Sequence, residues 1–267
     1  MPFKKPIGVF DSGVGGLSVL KSIREELPFE DLIYIADSGY APYGDIAPSI
    51  VEKRSMDITG FFVTKGVKAV VVACNTATAA AAPKLRSKYS IPIIAIEPAV
   101  KPAVNITKSG IVGVLATANT LKSESFLNLL HRFENVAEII NQPCPGLVEK
   151  VEKAEFDTKE TRALLERFIL PIIGRGADTL VLGCTHYFFL GPLIKEIAGE
   201  GITIIDTCAA VSRQLKRRLG EEGLLSEWPV AGKEQFLTSG KPDDMIKVIS
   251  LLWHDNVELE SLPDYLL

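Results

Sequence analysis

Val70-Val-Val-Ala-Cys-Asn-Thr76 returns 110 residues later as Leu180-Val-Leu-Gly-Cys-Thr-His186, and Ile7-Gly-Val-Phe-Asp-Ser12 returns 105 residues later as Val112-Gly-Val-Leu-Ala-Thr117. Each stretch is a short apolar run that ends in small and polar residues, as a buried parallel strand does where it yields to a helix. Two nearly equal offsets are what an internal duplication leaves behind. Working outward, strands are predicted at Ile7 to Phe10, Leu32 to Ala36, Ala69 to Ala73, Ile93 to Ile96, Ile111 to Leu115, Glu138 to Ile140, Thr179 to Leu182 and Thr203 to Ile205. Helical patterns separate them, among them Gly16 to Glu26 and Thr158 to Ile173. Alternation of this kind specifies an α/β fold with mainly parallel sheets. The expectation is two pseudo-symmetric α/β domains, residues 1–98 plus 210–267 and residues 99–209, with the active site at their interface. The tail adds a strand near Gln235 to Leu237 and helices at Ala209 to Leu219 and Asp243 to Trp253, expected to pack on the first copy.

A chain of 267 residues can bury two modest cores, and 47% hydrophobic with 23% charged residues is a globular composition. Lys+Arg 29 against Asp+Glu 33 leaves a formal charge of -4, which removes any general attraction to nucleic acid or anionic lipid. No apolar run is long enough to span a bilayer, and the opening Met1-Pro-Phe-Lys-Lys5 lacks a signal-peptide pattern, so a cytoplasmic protein is expected. Cys74, Cys144, Cys184 and Cys208 show no CxxC spacing, which argues against a zinc knuckle or a thioredoxin-type pair.

Ligands of open parallel sheets bind beyond the carboxyl ends of the strands. All four echoed segments end there, bringing Asp11-Ser12, Cys74-Asn75-Thr76, Thr117 and Cys184-Thr185-His186 to two matched crevices. Joined by pseudo-symmetry, the crevices would place two cysteines about one ligand. Racemising an α-amino acid needs a base on one face of Cα and an acid on the other, roles that two thiols can exchange. His186 is placed to orient or protonate Cys184, and Asp11 to do so for Cys74. A single free cysteine is usually a small buried hydrophobe; matched positions followed by hydroxyl and amide residues favour chemistry. Cys144 and Cys208 have no echo and are read as structural, and His131 and His254 as surface residues. The glycine-rich turn Asp11 to Gly16 fits a carboxylate and lacks the GK[ST] of a P-loop. Ala41-Pro-Tyr-Gly-Asp45 offers a second rigid turn. Glu149, expected on a first helical turn after the sixth strand, is a candidate partner of His186 or of a substrate ammonium, though a helix dipole alone also favours Glu there.

At these motifs the sequence resembles the glutamate racemases of the aspartate/glutamate racemase superfamily: Gly-Val-Phe-Asp-Ser-Gly-Val-Gly-Gly (8–16), Ala-Pro-Tyr-Gly (41–44), Ala-Cys-Asn-Thr-Ala-Thr (73–78), Gly-Val-Leu-Ala-Thr (113–117) and Leu-Gly-Cys-Thr-His-Tyr (182–187). The resemblance implies no pyridoxal phosphate or other cofactor, no metal, a homodimer, and supply of D-glutamate for peptidoglycan. It implies that Cys74 deprotonates D-glutamate and Cys184 L-glutamate. Asp11 and Ser12 would meet the ammonium side, and Asn75, Thr76, Thr117, Thr120 and Thr185 the ammonium and α-carboxylate. Tyr43 and Gly44 would hold the side-chain carboxylate through backbone N–H groups, with Glu149 and His186 assisting the second cysteine. Phe188 and Phe189 depart from the family pattern, which commonly has Pro or Leu soon after Cys-Thr-His-Tyr.

Two other readings stay open on the residues alone. A thiol amidase would use Cys184 and His186 as nucleophile and base and leave Cys74 idle. A glutamate-binding protein would keep the cleft without the proton transfer. No Arg or Lys stands in the motifs, and preference for glutamate over aspartate rests on the resemblance.

Overall fold

The computed structural model describes residues 5–226 and 229–267. The chain forms two compact units: one runs to Ile96 and resumes at Cys208, and the other takes Glu97–Thr207. The crossings thus fall at 96/97 and 207/208, against 98/99 and 209/210 in the sequence reading.

The first unit holds β1 (Ile7–Asp11), β2 (Leu32–Ala36), β3 (Ala69–Val72), β4 (Ile93–Ala95), β9 (Glu234–Thr238) and β10 (Leu259–Ser261), in the order β10-β9-β2-β1-β3-β4. The second holds β5 (Ile111–Ala116), β6 (Glu138–Pro143), β7 (Thr179–Leu182) and β8 (Thr203–Ile205), in the order β6-β5-β7-β8. All pairings are parallel. The second sheet repeats the β2-β1-β3-β4 core of the first, and the register repeats with it. Gly8 stands between Ile33 and Val70, and Gly113 between Ile140 and Leu180.

The two glycines show why the echo is more than a pattern of apolar residues. Helix α2 (Pro48–Thr64) lays the Phe62 ring so close over Gly8 that a Cβ there would lie 2.7 Å from it. Helix α8 (Lys159–Gly174) brings Ile172 equally close to Gly113, at 2.7 Å from a Cβ. Only glycine admits a helix side chain at that distance. The strands β1, β2, β3 and β7 are buried along their whole length, so each apolar side chain in them contributes about 1.5–3 kcal/mol by leaving water.

Elements between the strands follow ordinary helix signals. Helix α1 (Leu17–Glu26) starts after the glycine turn, and α2 has Pro48 in its first turn. Helix α3 (Asn75–Lys88) starts directly behind Cys74, and Thr158 caps α8 by accepting from the Thr161 N–H. The tail belongs to the first unit: α10 (Cys208–Glu221) packs on α1, β9 pairs with β2, and α11 (Pro242–Trp253) joins β9 to β10. A buried Lys68–Glu30 pair at 2.5 Å pins it, as Lys68 Nζ also donates to Leu224 O and Glu30 accepts from the Ser226 N–H.

Three features differ from the sequence reading. Strand β6 continues through the polar Asn141-Gln142-Pro143, which an edge strand tolerates because one side needs no partner. Strand β10 was not anticipated, since its three residues carry no apolar pattern. After β7 the chain makes a 3-10 turn, Thr185–Leu190, and α9 begins only at Gly191 (Gly191–Ala198). The Phe188 and Phe189 departure sits in that turn, the two rings meeting edge to face at 5.6 Å. Among the described residues no helix is long and apolar enough to cross a membrane.

Candidate active site

Each unit presents its candidate residues at the carboxyl ends of its two central strands. In the first unit, Cys74 is the N-cap of α3, and its sulfur accepts the Ala77 N–H at 3.5 Å. The positive end of a helix favours negative charge placed on it, so the sulfur stands where a thiolate is served. The thiol also donates to Ser12 Oγ at 3.9 Å, and Ser12 Oγ donates to Asp11 Oδ1 at 3.0 Å. The Ser12 hydroxyl thus links Cys74 to Asp11, the residue the sequence offers as its assistant. The Gly13 N–H donates to the same Asp11 oxygen at 2.9 Å, and Tyr34 fixes the loop by donating to Gly13 O at 2.6 Å. Asp11 is fully buried and Ser12 nearly so.

Asn75 follows Cys74. It is buried, yet neither its Oδ1 nor its Nδ2 has a hydrogen-bond partner. Orphaned buried amides are costly and rare, and such a group marks a place where a polar ligand would complete the bonding. Thr76, beside it, is buried as well.

The turn Ala41 to Asp45 contains a cis Ala41-Pro42 bond and a short 3-10 segment, Tyr43–Asp45. The Tyr43 side chain is buried and its hydroxyl donates to Asp37 Oδ2 at 2.5 Å. Burial, reinforced by the Asp37 charge, holds the Tyr43 phenol well above its ordinary range, so it stays a donor. Gly44 is buried next to it.

In the second unit, Cys184 precedes the 3-10 turn, and its sulfur lies 3.8 Å from His186 Nδ1. His186 Nε2 meets Glu152 Oε1 at 2.7 Å. Helix α7 (Leu147–Glu152), which packs against the 3-10 turn, carries that carboxylate. From sequence, Glu149 is the candidate partner of His186 or of a substrate ammonium. Glu149 does lie in the first turn of α7, but Glu152, nearly one turn further along, reaches the imidazole. The result is a thiol–imidazole–carboxylate line. Thr117 caps α5 (Ala118–Lys122), accepts the Thr120 N–H and shares a 2.9 Å hydroxyl contact with Thr120 Oγ1. Thr185 is buried at the start of the turn.

Cys144 shares this environment. Burial first, and then the charge of Cys184, push its thiol far up, and it donates to Gln142 O at 3.3 Å. Its own carbonyl accepts from the Tyr187 hydroxyl at 3.2 Å, which steadies the turn carrying His186. Cys208 is buried at the start of α10, while His131 and His254 are exposed. Among the described residues no group of three His, Cys, Asp or Glu side chains could hold a metal ion.

Sequence reasoning passed over Asp37, Arg54 and Glu152. Asp37 follows β2 without a motif around it, Arg54 lies in the middle of α2, and Glu152 had a nearer rival in Glu149. A charged residue on a helix face whose other buried members, Val51, Ser55 and Ile58, are apolar or small is the signal that could have exposed Arg54.

The family described as Asp/Glu/Hydantoin racemase matches residues 7–215, which takes in both thiols and both relays. Together with the duplicated α/β units, this defines the protein as an isomerase of the racemase class. A glutamate racemase of Stutzerimonas stutzeri is 51% identical over 259 residues, 97% of each chain. The crystal structure of glutamate racemase isoform RacE1 from Bacillus anthracis superposes with a TM-score of 0.89 at 33% identity, covering 98% of this chain and 99% of that one. The Francisella tularensis glutamate racemase in complex with D-glutamate gives 0.85 at 27% identity, covering 97% and 98%. The chain belongs to the Asp/Glu/hydantoin racemase family, on its glutamate racemase branch.

Proposed function

We propose that the protein interconverts L- and D-glutamate by two-base proton transfer at Cα, with Cys74 and Cys184 serving one bound substrate from opposite faces. The observation that carries this reading is the matched pair of thiols, one behind β3 and one behind β7, each backed by its own polar relay. Glutamate bound in the Francisella relative supports the choice of substrate. The Cys184 thiolate takes the Cα proton of L-glutamate, and the Cys74 thiol returns one to the other face. The D-enantiomer runs the same steps backwards, so no proton is gained or lost overall.

The first relay, Ser12 and Asp11, lies beside Cys74, and Asp11 offers its charge to the substrate ammonium. The second, His186 with Glu152, serves Cys184; the geometry favours Glu152 over Glu149 here. Asn75 completes its orphaned amide on the substrate, joined by Thr76, Thr117, Thr120 and Thr185 at the ammonium and α-carboxylate. The Tyr43 hydroxyl is bonded to Asp37, and the backbone N–H groups of Tyr43 and Gly44 are assigned to the side-chain carboxylate, as the family resemblance implies. Supply of D-glutamate for peptidoglycan, a cytoplasmic setting and a homodimer belong to the same proposal.

The Cys184–His186–Glu152 line also suits a thiol amidase, but that reading leaves Cys74 and its relay without a task. Incubating each enantiomer in deuterated water separates the two. Racemisation washes deuterium into Cα and interconverts the enantiomers, and Cys74→Ala or Cys184→Ala abolishes interconversion. Absence of both exchange and interconversion in the purified protein sinks the proposal, and undiminished turnover in either variant rejects the two-base assignment.

A further inference from the structure

Asp37 and Arg54 form the most enclosed ion pair described in the first unit, with side chains 0% and 5% exposed. No motif and no step of the proposed reaction uses them. The Asp37 carboxylate accepts from Arg54 Nη2 at 2.6 Å on Oδ1, and from Arg54 Nε at 2.9 Å and the Tyr43 hydroxyl at 2.5 Å on Oδ2. The remaining arm of the guanidinium, Nη1, donates to Leu266 O at 2.7 Å, and its face lies over the Tyr40 ring at 4.1 Å. Thus α2, the residue after β2, both aromatic residues of the 40–43 segment and the tail turn Asp264–Leu266 meet on one ion pair, Tyr43 on its carboxylate and Tyr40 and Leu266 on its guanidinium.

We infer that Arg54 and Asp37 are positioning residues that fix the 41–45 turn, and with it the affinity for the substrate's side-chain carboxylate. This rests on the proposed assignment of the Tyr43 and Gly44 N–H groups to that carboxylate. Arg54 is the only cation bonded to Asp37 in the described structure, and each of its three nitrogens donates to Asp37 or Leu266, so it is read as acting through the turn rather than on substrate. An Arg fork suits the set because three acceptor atoms are each met by a different guanidinium nitrogen; a lysine point charge can satisfy only part of it. The tail turn is the third support, which makes the C-terminal segment part of the carboxylate subsite although it holds none of the motifs.

Tyr43→Phe tests this with the least disturbance, since it removes only the hydroxyl that ties the turn to Asp37. Arg54→Lys tests the other end while keeping the buried charge balanced. Loss of a contact made equally in ground and transition states raises KM and spares kcat. The expected result is a KM for both enantiomers raised about tenfold or more, with kcat within about threefold of the unaltered protein. A KM within twofold in both variants, or a fall in kcat at unchanged KM, overturns the inference while leaving racemisation itself in place. If the unaltered protein does not racemise glutamate, the underlying reading fails, and the inference with it.

Discussion

Glu152→Gln is the sharpest probe of the second relay. The carboxylate meets His186 Nε2 at 2.7 Å, with the side chains only 16% and 2% exposed, so water screens the contact little. A hydrogen bond to a charged group contributes about 1.5–3 kcal/mol. Glutamine keeps the shape and a neutral hydrogen bond but gives up the charge, which matters most when the ring holds a proton. At about 1.4 kcal/mol per decade of rate, loss of the whole bond would cost about 10- to 150-fold, and the neutral bond that glutamine keeps holds the expected loss in kcat/KM to about 10- to 30-fold. Because racemisation has an equilibrium constant of one, kcat/KM must fall by the same factor in both directions, whichever thiol is affected. Direction is therefore read from isotope effects. Raising the barrier at Cys184 makes proton removal from L-glutamate the slow step, and turns removal from D-glutamate by Cys74 into a fast pre-equilibrium. The Cα-deuterium effect should grow for L-glutamate and shrink for D-glutamate, measured by initial rates with chiral separation of products. A loss below threefold, or isotope effects that stay balanced, would refute the reasoning.

Asn75→Ala should leave the melting midpoint unchanged or raised, since both amide atoms it removes are buried without partners, while KM rises about tenfold; thermal unfolding and steady-state kinetics on one preparation decide it. Gly8→Ala should destabilise the first unit by about 1–3 kcal/mol, and more than Gly113→Ala destabilises the second, because three atoms of the rigid Phe62 ring crowd the first position, whereas single methyl groups of Ile172 and Leu180 crowd the second; denaturant midpoints compare the two. At Asp178, burial opposes ionisation, but bonds from the Thr107 hydroxyl, the Ser109 and Lys108 N–H groups and the Thr179 hydroxyl outweigh it and hold the carboxyl well below its usual range. The stability it contributes is present above about pH 4 and is lost as pH falls further. Asp178→Asn should accordingly flatten the acid limb of the melting profile, and an unchanged limb would remove Asp178 from its causes.

What the sequence made legible was governed by local chemistry. The strands at Ile7, Ala69, Ile111 and Thr179 are uniform apolar runs, buried on both faces, and such runs identify themselves. Cys74 and Cys184 were found through repetition, which needs no structure. The rest depends on helical phase and on contacts between distant segments. Glu149 and Glu152 share a short helix, and only the angle at which α7 packs decides which carboxylate arrives at His186. Arg54 meets Asp37 across 17 residues and Leu266 across 212, a convergence no local pattern records.

The shared strand order of the two sheets has one asymmetry with a consequence for how the chain keeps to itself. In the first unit β2 is followed outward by β9 and then β10, whereas in the second its counterpart β6 closes the sheet. A terminal strand is a template on which another chain can extend the sheet, and polypeptides resist this by placing charge, amides and proline along it. Glu138, Asn141, Gln142 and Pro143 do so on β6, leaving Ile139 and Ile140 as its only apolar residues. The polar stretch that hid the length of this strand from sequence reading is thus its guard against aggregation, and hydrophobic substitutions there would endanger solubility before they touched catalysis.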